Sequence, residues 1–324
     1  MKALQYVLSL LLLLTGFTAT AENEPRNSRL IPGANYSSTH EPAILMRSKH
    51  FDYDHEIRVS LPPGYGVQPE RTYPALWLTD GSMAHDLTVG IVDMLTLGDL
   101  APEMIIVSVG APNNTGMAGY GRRNIEFAPP GERYLYDGPG AEFMYAGAAA
   151  AGMDLDATPQ KADEFLSFII DEVRPALDKK YRFNGDHGLA GHSGGGMFTG
   201  YALFARPLAF NKYLIGSPSI NASNRKVFRM EAEYAENNKD FPVSVFLAAG
   251  GAEINNTMMA AWEIVSAPVL LAERLRLRQY PSLKLEGRVY DGRNHIDVLP
   301  ILIMDGVHSL WGDDVPGGPN AIAK

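Results

Sequence analysis

The chain has 324 residues, with 28 Lys or Arg against 37 Asp or Glu, so its formal net charge is −9. An acidic chain without a run of basic residues is a poor partner for nucleic acid, because binding phosphates requires clustered Lys and Arg. Hydrophobic residues make up 46% of the chain, which is too many for a disordered protein. There is no cysteine, which excludes disulfides, thiolate metal sites, a lipid-modified cysteine and a cysteine nucleophile.

The first 21 residues have the pattern of a secretory signal peptide. Lys2 precedes an apolar run over Ala3–Phe17, and Ala19-Thr20-Ala21 has the small residues of a cleavage site. An uncleaved membrane anchor is the alternative, but the run is shorter than the roughly 20 residues that a membrane span needs. The pattern predicts cleavage after Ala21 and a periplasmic or secreted product without a membrane anchor.

The rest of the chain predicts one α/β domain over residues 41–324, preceded by a loose polar leader over residues 22–40. Short apolar runs alternate with helix-like stretches, which favours a mostly parallel sheet with helices on both faces. The predicted strands are Ala43–Arg47, Ile57–Leu61, Tyr73–Leu78, Met104–Val109, His187–Ala190, Tyr213–Gly216, Val243–Ala249 and Leu285–Tyr290.

Helix signals are clearest in the second half of the domain. A helix should open at Thr158, since Pro159 suits a first turn, and a further helical stretch covers Met258–Tyr280. Residues Gly138–Gly152 are rich in Gly and Ala and show no clear period. They predict an irregular segment, for which two interpretations stay open: a lid-like loop or an ordinary surface insertion.

The strongest chemical signal is the pentapeptide Gly-His-Ser-Gly-Gly at residues 191–195. It fits the G-x-S-x-G pattern, with a predicted strand before it and an apolar helical stripe after it. In that setting the serine lies on a sharp turn with its hydroxyl exposed, and the helix N-terminus stabilises a developing negative charge. The pattern therefore predicts Ser193 as a nucleophile, and a glycine-rich turn with an idle serine is the alternative.

A serine nucleophile needs a base that takes its proton, and the chain has eight histidines. In a strand–turn–helix hydrolase the base follows the nucleophile along the chain, which leaves His295 and His308. His295 lies in the loop after the predicted strand Leu285–Tyr290, whereas His308 lies in an apparent helix. His295 is the predicted base and His308 the alternative, while His192 is expected to point into the fold.

The base needs an acid that orients its ring. Glu253 is the first carboxylate after the predicted strand Val243–Ala249, and active-site groups of open α/β sheets collect at the carboxyl ends of strands. Asp291, which is close to His295 in sequence, is the competitor, although an Asp-Gly pair is also typical of a turn. Glu253 is the predicted acid.

An oxyanion is bound by two backbone N–H groups. Gly194 directly follows the nucleophile and supplies one of them. The second should come from the loop after an early strand, where Ser82 is the predicted donor, and Gly81 and Met83 are the neighbouring alternatives.

Two adjacent arginines, Arg122 and Arg123, follow the predicted strand Met104–Val109. They are candidate contacts for an anionic or polar substrate, with solvated surface arginines as the alternative. No metal-binding or nucleotide-binding motif is present, so the sequence predicts neither a metal nor another cofactor. The expected partner is a small-molecule substrate, and the oligomeric state stays open.

Short motifs in a fixed order link the chain to a known family. They are IRVSLPPGY at 57–65, YPALWLTDG at 73–81, GHSGG at 191–195, GSPS at 216–219, GGAE at 250–253 and NH at 294–295. With these motifs the chain resembles the esterase D-like α/β-hydrolases over residues 41–308, a group whose relatives include periplasmic siderophore esterases. The resemblance implies an α/β-hydrolase fold with a nucleophile, base, acid and two oxyanion amides at Ser193, His295, Glu253, Ser82 and Gly194.

The resemblance also implies an activity, namely hydrolysis of small carboxylic esters, including siderophore-type lactones. An acyltransferase on the same fold and a non-catalytic binding protein are the alternatives, and the intact order of serine, acid and histidine speaks against the second. The segment after Arg122-Arg123 and the insertion Gly138–Gly152 depart from the family pattern. Both are expected to border the substrate pocket.

Overall fold

The computed structural model describes residues 27–131 and 138–315. The predicted signal peptide and its cleavage site after Ala21 lie outside these ranges. Within them, every helix is too short or too polar to cross a lipid bilayer.

Nine strands form one mixed sheet in the order β1-β3-β5-β4-β6-β7-β8-β9, and β2 pairs with β3 beside this path. Strand β3 runs antiparallel to β1, β2 and β5, while the pairs from β5 through β4 to β9 are all parallel. The strands are β1 (Thr39–His40), β2 (Ile44–Arg47), β3 (Asp54–Leu61), β4 (Tyr73–Thr79), β5 (Ile105–Gly110), β6 (Phe183–His192), β7 (Lys212–Gly216), β8 (Ser244–Gly250) and β9 (Lys284–Tyr290).

Helices cover both faces of the sheet. They are α1 (Gly81–Leu97), α2 (Met117–Glu126), α3 (Ala141–Ala150), α4 (Ala162–Ser167), α5 (Arg174–Asp178), α6 (Gly194–Ala205), α7 (Ala222–Asn237), α8 (Thr257–Ala261), α9 (Ser266–Arg278) and α10 (Leu299–Trp311). A π-helical turn, Phe168–Val173, joins α4 to α5, and single 3₁₀ turns lie at Ser28–Leu30, Asn113–Thr115, Gly251–Asn255 and Gly312–Asp314.

The predicted strands are all present, but the predicted start of one helix and the predicted irregular segment are wrong. The helix expected to open at Thr158 begins at Ala162, because Thr158 N–H closes a turn onto the Asp154 carbonyl at 2.7 Å. The helical stretch predicted over Met258–Tyr280 is present as two helices, α8 and α9, because Glu263 between them has a positive φ of 52°. The segment expected to be irregular is helix α3, in which alanine-rich sequence favours the helix.

The core has two layers, one on each face of the sheet, because neighbouring side chains along a strand point to opposite faces. On β4, Trp77 packs into the larger layer with the helices α2 to α7 and α9. Leu76 and Leu78 face the other way and pack with α1 and α10. This second, smaller layer lies between the sheet and the helices α1 and α10, which follow β4 and β9 along the chain.

The leader is fixed to the domain from residue 27 onward, which differs from the expected loose segment. Arg29 contacts Asp93 of α1 at 3.4 Å, and Ser38 hydrogen-bonds to the same carboxylate through its N–H and its hydroxyl. Strand β1 then pairs with β3. The sheet therefore begins before the predicted domain boundary at residue 41.

A buried histidine lies beside the tryptophan of β4. Trp77 Nε1 donates a hydrogen bond to Nδ1 of His187 at 3.0 Å, so this nitrogen must be unprotonated. Burial, followed by the positive charge of Arg174, lowers the pKa of His187 from 6.5 to about 4. The imidazole is therefore neutral at neutral pH.

Acidification should weaken the fold through His187. In the unfolded chain a histidine takes up a proton below about pH 6.5, whereas folded His187 resists protonation down to about pH 4. Falling pH in this window therefore favours the unfolded state. The variant His187→Gln keeps an acceptor for Trp77 but has no group that titrates in this window. The slope of its unfolding free energy against pH should therefore be smaller than that of the wild type, by about 1.4 kcal/mol per pH unit. Urea unfolding across the window measures both slopes, and equal slopes would contradict the assignment.

Candidate active site

Ser193 lies on a sharp turn between β6 and α6. Its φ of 59° and ψ of −122° are strained for a residue with a side chain. A Cβ atom at Gly191 would overlap the carbonyl of Gly195, so the chain can turn this tightly only with glycine there. The N–H of Ser193 donates to the carbonyl of Gly216 at 2.9 Å, which fastens the turn to the end of β7.

Glu253 and His295 meet in a hydrogen bond at the carboxyl ends of β8 and β9. The Nδ1 atom of His295 lies 2.7 Å from Oε1 of Glu253, whose side chain is fully buried. The second oxygen of Glu253 accepts the N–H of Gly250 at 3.1 Å. Because an ionised carboxylate only accepts hydrogen bonds, Nδ1 carries the proton and Nε2 is left as the basic atom of the neutral ring.

The loops that carry these two residues are tied to one another. The N–H of Ala252, one residue before the glutamate, donates to the carbonyl of Arg293 at 3.0 Å. A Cβ at Gly250 would come within 2.9 Å of the carbonyl carbon of Arg293, so the two chains pass in direct contact. The histidine therefore has a fixed position relative to its carboxylate.

One cavity of about 260 Å³ is lined by both Ser193 and His295. The alternative base His308 lies elsewhere: its Nδ1 contacts the carbonyl of Leu100 at 2.8 Å within the packing of α10. The competing acid Asp291 is exposed in the loop after β9. Of the predicted residues, the structure thus brings Ser193, His295 and Glu253 into one region.

The two predicted oxyanion amides lie at the first turns of two helices. Gly194 is the first residue of α6, and it lines a small cleft beside the main cavity together with Ser193. Ser82 is the second residue of α1 and is exposed, while its neighbour Met83 lines the main cavity. Amides in a first helical turn have no partner within the helix.

The two predicted arginines take different positions. Arg123 forms a two-point ion pair with Asp80, with both N–O distances at 2.6 Å, and both residues line the cavity. The guanidinium of Arg122 instead stacks on the ring of Tyr53 at 4.4 Å, away from the described lining of the cavity. The adjacent positions on α2 point in different directions because successive residues of a helix do not share a face.

His192 was expected to point into the fold, and it also lines the cavity. It occupies the same face of β6 as Ala190, and its ring lies 4.6 Å from that of His295. Burial first, then the charges of His295 and Arg123, lower the pKa of His192 from 6.5 to about 3. The alternation of side chains along β6 was the signal that could have placed it here.

Ring nitrogens and a carboxylate oxygen of His192, Glu253 and His295 lie within 4.8 Å of one another, which is a spacing that metal ligands also adopt. In this cluster, however, both oxygens of Glu253 already accept hydrogen bonds from His295 and Gly250. A metal ion would have to displace the bond that orients His295. The carboxylate of Glu253 is therefore better suited to orienting the ring of His295 than to binding a metal ion.

A cap of helices forms one wall of the cavity. Tyr120 of α2 and Phe143 of α3 stack with ring centroids 4.7 Å apart, and Met258 and Trp262 complete this wall. The segment Gly138–Gly152 therefore borders the cavity, as a helix. It is packed closely, since a Cβ at Gly121 would overlap the carbonyl of Gly147.

Comparison with known proteins places the chain in a family. The family model described as "Putative esterase" matches residues 140–312. The ferri-bacillibactin esterase BesA of Bacillus subtilis is 24% identical over 282 residues, which cover 84% of this chain and 90% of that protein. The match to the family model spans more than half of the chain, so the chain belongs to this esterase family.

Solved structures show the same architecture. The siderophore hydrolase EstA of Aspergillus nidulans superposes with a TM-score of 0.67 at 22% identity, covering 84% of this chain and 93% of that one. An IroE-like serine hydrolase of Shewanella oneidensis gives a TM-score of 0.65 at 22% identity, covering 85% and 81%. The α/β-hydrolase fold and the family predicted from sequence are confirmed, and the chain is a carboxylic ester hydrolase.

The contact between α2 and α3 should make Gly121 intolerant of a side chain. Gly121→Ala places a methyl group against the backbone of Gly147, and we expect a loss of about 1–3 kcal/mol in the free energy of unfolding. Gly90→Ala on the exposed face of α1 meets nothing within 4 Å and should instead gain about 0.5–1 kcal/mol. Urea unfolding of both variants tests this, and effects of the same sign would contradict the close packing of the cap.

Proposed function

We propose that the protein is a serine ester hydrolase in which Ser193 is the nucleophile, His295 the base and Glu253 the acid that orients it. The observation that carries this proposal is the 2.7 Å bond between His295 and a fully buried Glu253, in a cavity that Ser193 also lines from a strained turn. A nucleophile, a base and a carboxylate behind the base are the three parts that activate a hydroxyl.

The acylation step follows from the tautomer of His295. Its Nε2 takes the proton of the Ser193 hydroxyl as the oxygen attacks the ester carbonyl. The ring is then positively charged, and the buried carboxylate of Glu253 stabilises that charge at short range. His295 next gives the proton to the leaving alcohol, which leaves an acyl group on Ser193.

The negative charge of the tetrahedral intermediate is assigned to the amides of Gly194 and Ser82. Support comes from their places in the first turns of α6 and α1, where N–H groups lack helical partners and the helix dipole is positive. The neighbouring ring of His192 has a pKa lowered to about 3. It therefore adds no positive charge that would compete with protonation of His295.

Hydrolysis is completed by water. His295 removes a proton from a water molecule that attacks the acyl carbonyl, the acid is released, and the Ser193 hydroxyl is restored.

The names of two relatives, a ferri-bacillibactin esterase and a siderophore hydrolase, support siderophore-type lactones and other small esters as the substrates to examine. Of the two predicted arginines, Arg123 is the one that lines the cavity. The signal-peptide pattern at residues 1–21 supports a periplasmic or secreted location.

Removing the nucleophile should abolish turnover. We expect Ser193→Ala to lower kcat for p-nitrophenyl butyrate by about 10⁶-fold, because the residues of such a triad act as one unit. The exposed Ser266→Ala at the start of α9 is the matched control and should retain full activity. Equal rates for wild type and Ser193→Ala would refute the proposal.

Adding an alcohol acceptor and measuring the transferred ester separates hydrolysis from acyl transfer.

The carboxylate assignment can be tested separately. Glu253→Gln keeps the size of the side chain but can donate to Nδ1 of His295, which would favour the wrong tautomer. We expect kcat to fall by about 10²–10⁴-fold with little change in KM. Asp291→Asn, at the exposed competing position, should leave kcat within about twofold. A larger loss in Asp291→Asn than in Glu253→Gln would transfer the role to Asp291.

A further inference from the structure

The cavity beside Ser193 has a closed, apolar end inside the smaller core layer. Its floor is formed by side chains from three neighbouring strands and from α10, all of them 5% exposed or less, namely Leu78, Ala190, Leu214, Leu302 and Ile303. The same residues belong to the layer between the sheet and the helices α1 and α10. The cavity therefore extends from the catalytic residues into the hydrophobic core.

The opposite end of the cavity is open to solvent. Met83, Phe143 and Ile296 line it and are 69%, 50% and 76% exposed. Ile296 directly follows His295, so the histidine lies near this mouth. The leaving alcohol takes its proton from His295, and the hydrolytic water approaches by the same route. The closed end is thus suited to the acyl part of the ester, which stays on Ser193 between the two steps.

The charges that line the cavity cancel. Among the described lining residues, Asp80 and Arg123 are the two permanently charged side chains, and they are paired at two points. His192 has a pKa lowered to about 3 by burial and is neutral, and the lining threonines and tyrosine add only hydroxyl groups. An acyl group that carries a negative charge would lose its hydration here without gaining an unbalanced cation, which is costly.

Resting on the proposed function, we infer that this cavity is an acyl-chain pocket and that the substrates are esters of uncharged, aliphatic, medium-chain carboxylic acids. A methylene group takes up about the volume of a liquid water molecule, roughly 30 Å³. A cavity of about 260 Å³, part of which belongs to the mouth, then holds a chain of at most about eight carbons. Multiply charged ferric siderophores do not match this pocket.

The wild-type enzyme tests the inference without any substitution. We would measure kcat and KM for p-nitrophenyl esters from acetate to dodecanoate, below their micelle concentrations. Each methylene buried in the pocket should raise kcat/KM about three- to fourfold up to about octanoate, and longer chains should lose this gain. A profile that is flat, or that falls steadily from acetate, would overturn the inference.

Variants of the floor should shift the preferred length in opposite directions. Ala190→Leu fills the closed end and should lower the octanoate-to-acetate ratio of kcat/KM at least tenfold. Ile303→Ala enlarges it and should move the optimum about two carbons longer. Ala176→Leu, on the exposed surface of α5, is the matched control and should keep the wild-type ratio. Unchanged ratios in both floor variants would overturn the pocket assignment.

A ferric siderophore trilactone belongs in the same assay. Turnover of the trilactone with kcat/KM above that of octanoate would overturn the inference while leaving the proposed function intact. Loss of that activity in Ser193→Ala would then show that the same serine acts on it. If wild type hydrolyses none of the esters, the proposed function itself fails, so the two failures are distinguishable.

Discussion

The site depends on one backbone constraint, the turn that carries Ser193. A residue with a side chain is held at positive φ, at a cost of about 1–3 kcal/mol that the surroundings must offset. The glycine at 191 allows the tight approach to residue 195, and the bond from the Ser193 N–H to Gly216 fixes the turn to the next strand. These contacts put the hydroxyl above the sheet and start α6 directly behind it.

The parallel sheet brings the other groups to the same place. Strands β4, β6, β8 and β9 run in one direction, so the residues that follow them emerge at one edge. Asp80 follows β4, Ser193 follows β6, Glu253 follows β8 and His295 follows β9. Residues far apart in the chain therefore meet without any long loop, and the register of the strands sets their spacing.

Much of this was accessible from sequence because it depends on short-range pattern. Continuous apolar runs marked the strands, and the residue types after each strand pointed to Ser193, His295 and Glu253. Contacts between distant segments left no such signal. Nothing in the sequence linked Asp80 to Arg123. Helix α3 had no amphipathic period, because it packs on α2 through direct backbone contact at Gly147 rather than through an apolar stripe.

The Asp80–Arg123 pair also has a mechanical consequence. It joins the end of a central strand to the cap helix α2, with both side chains only 12–13% exposed. Lifting the cap would break this two-point ion pair and move both side chains into solvent, so the pair favours the position that the cap has in the structure. The pair therefore fastens the cap to the end of β4 as a wall of the cavity, and the exposed mouth is left as the route for substrate and product.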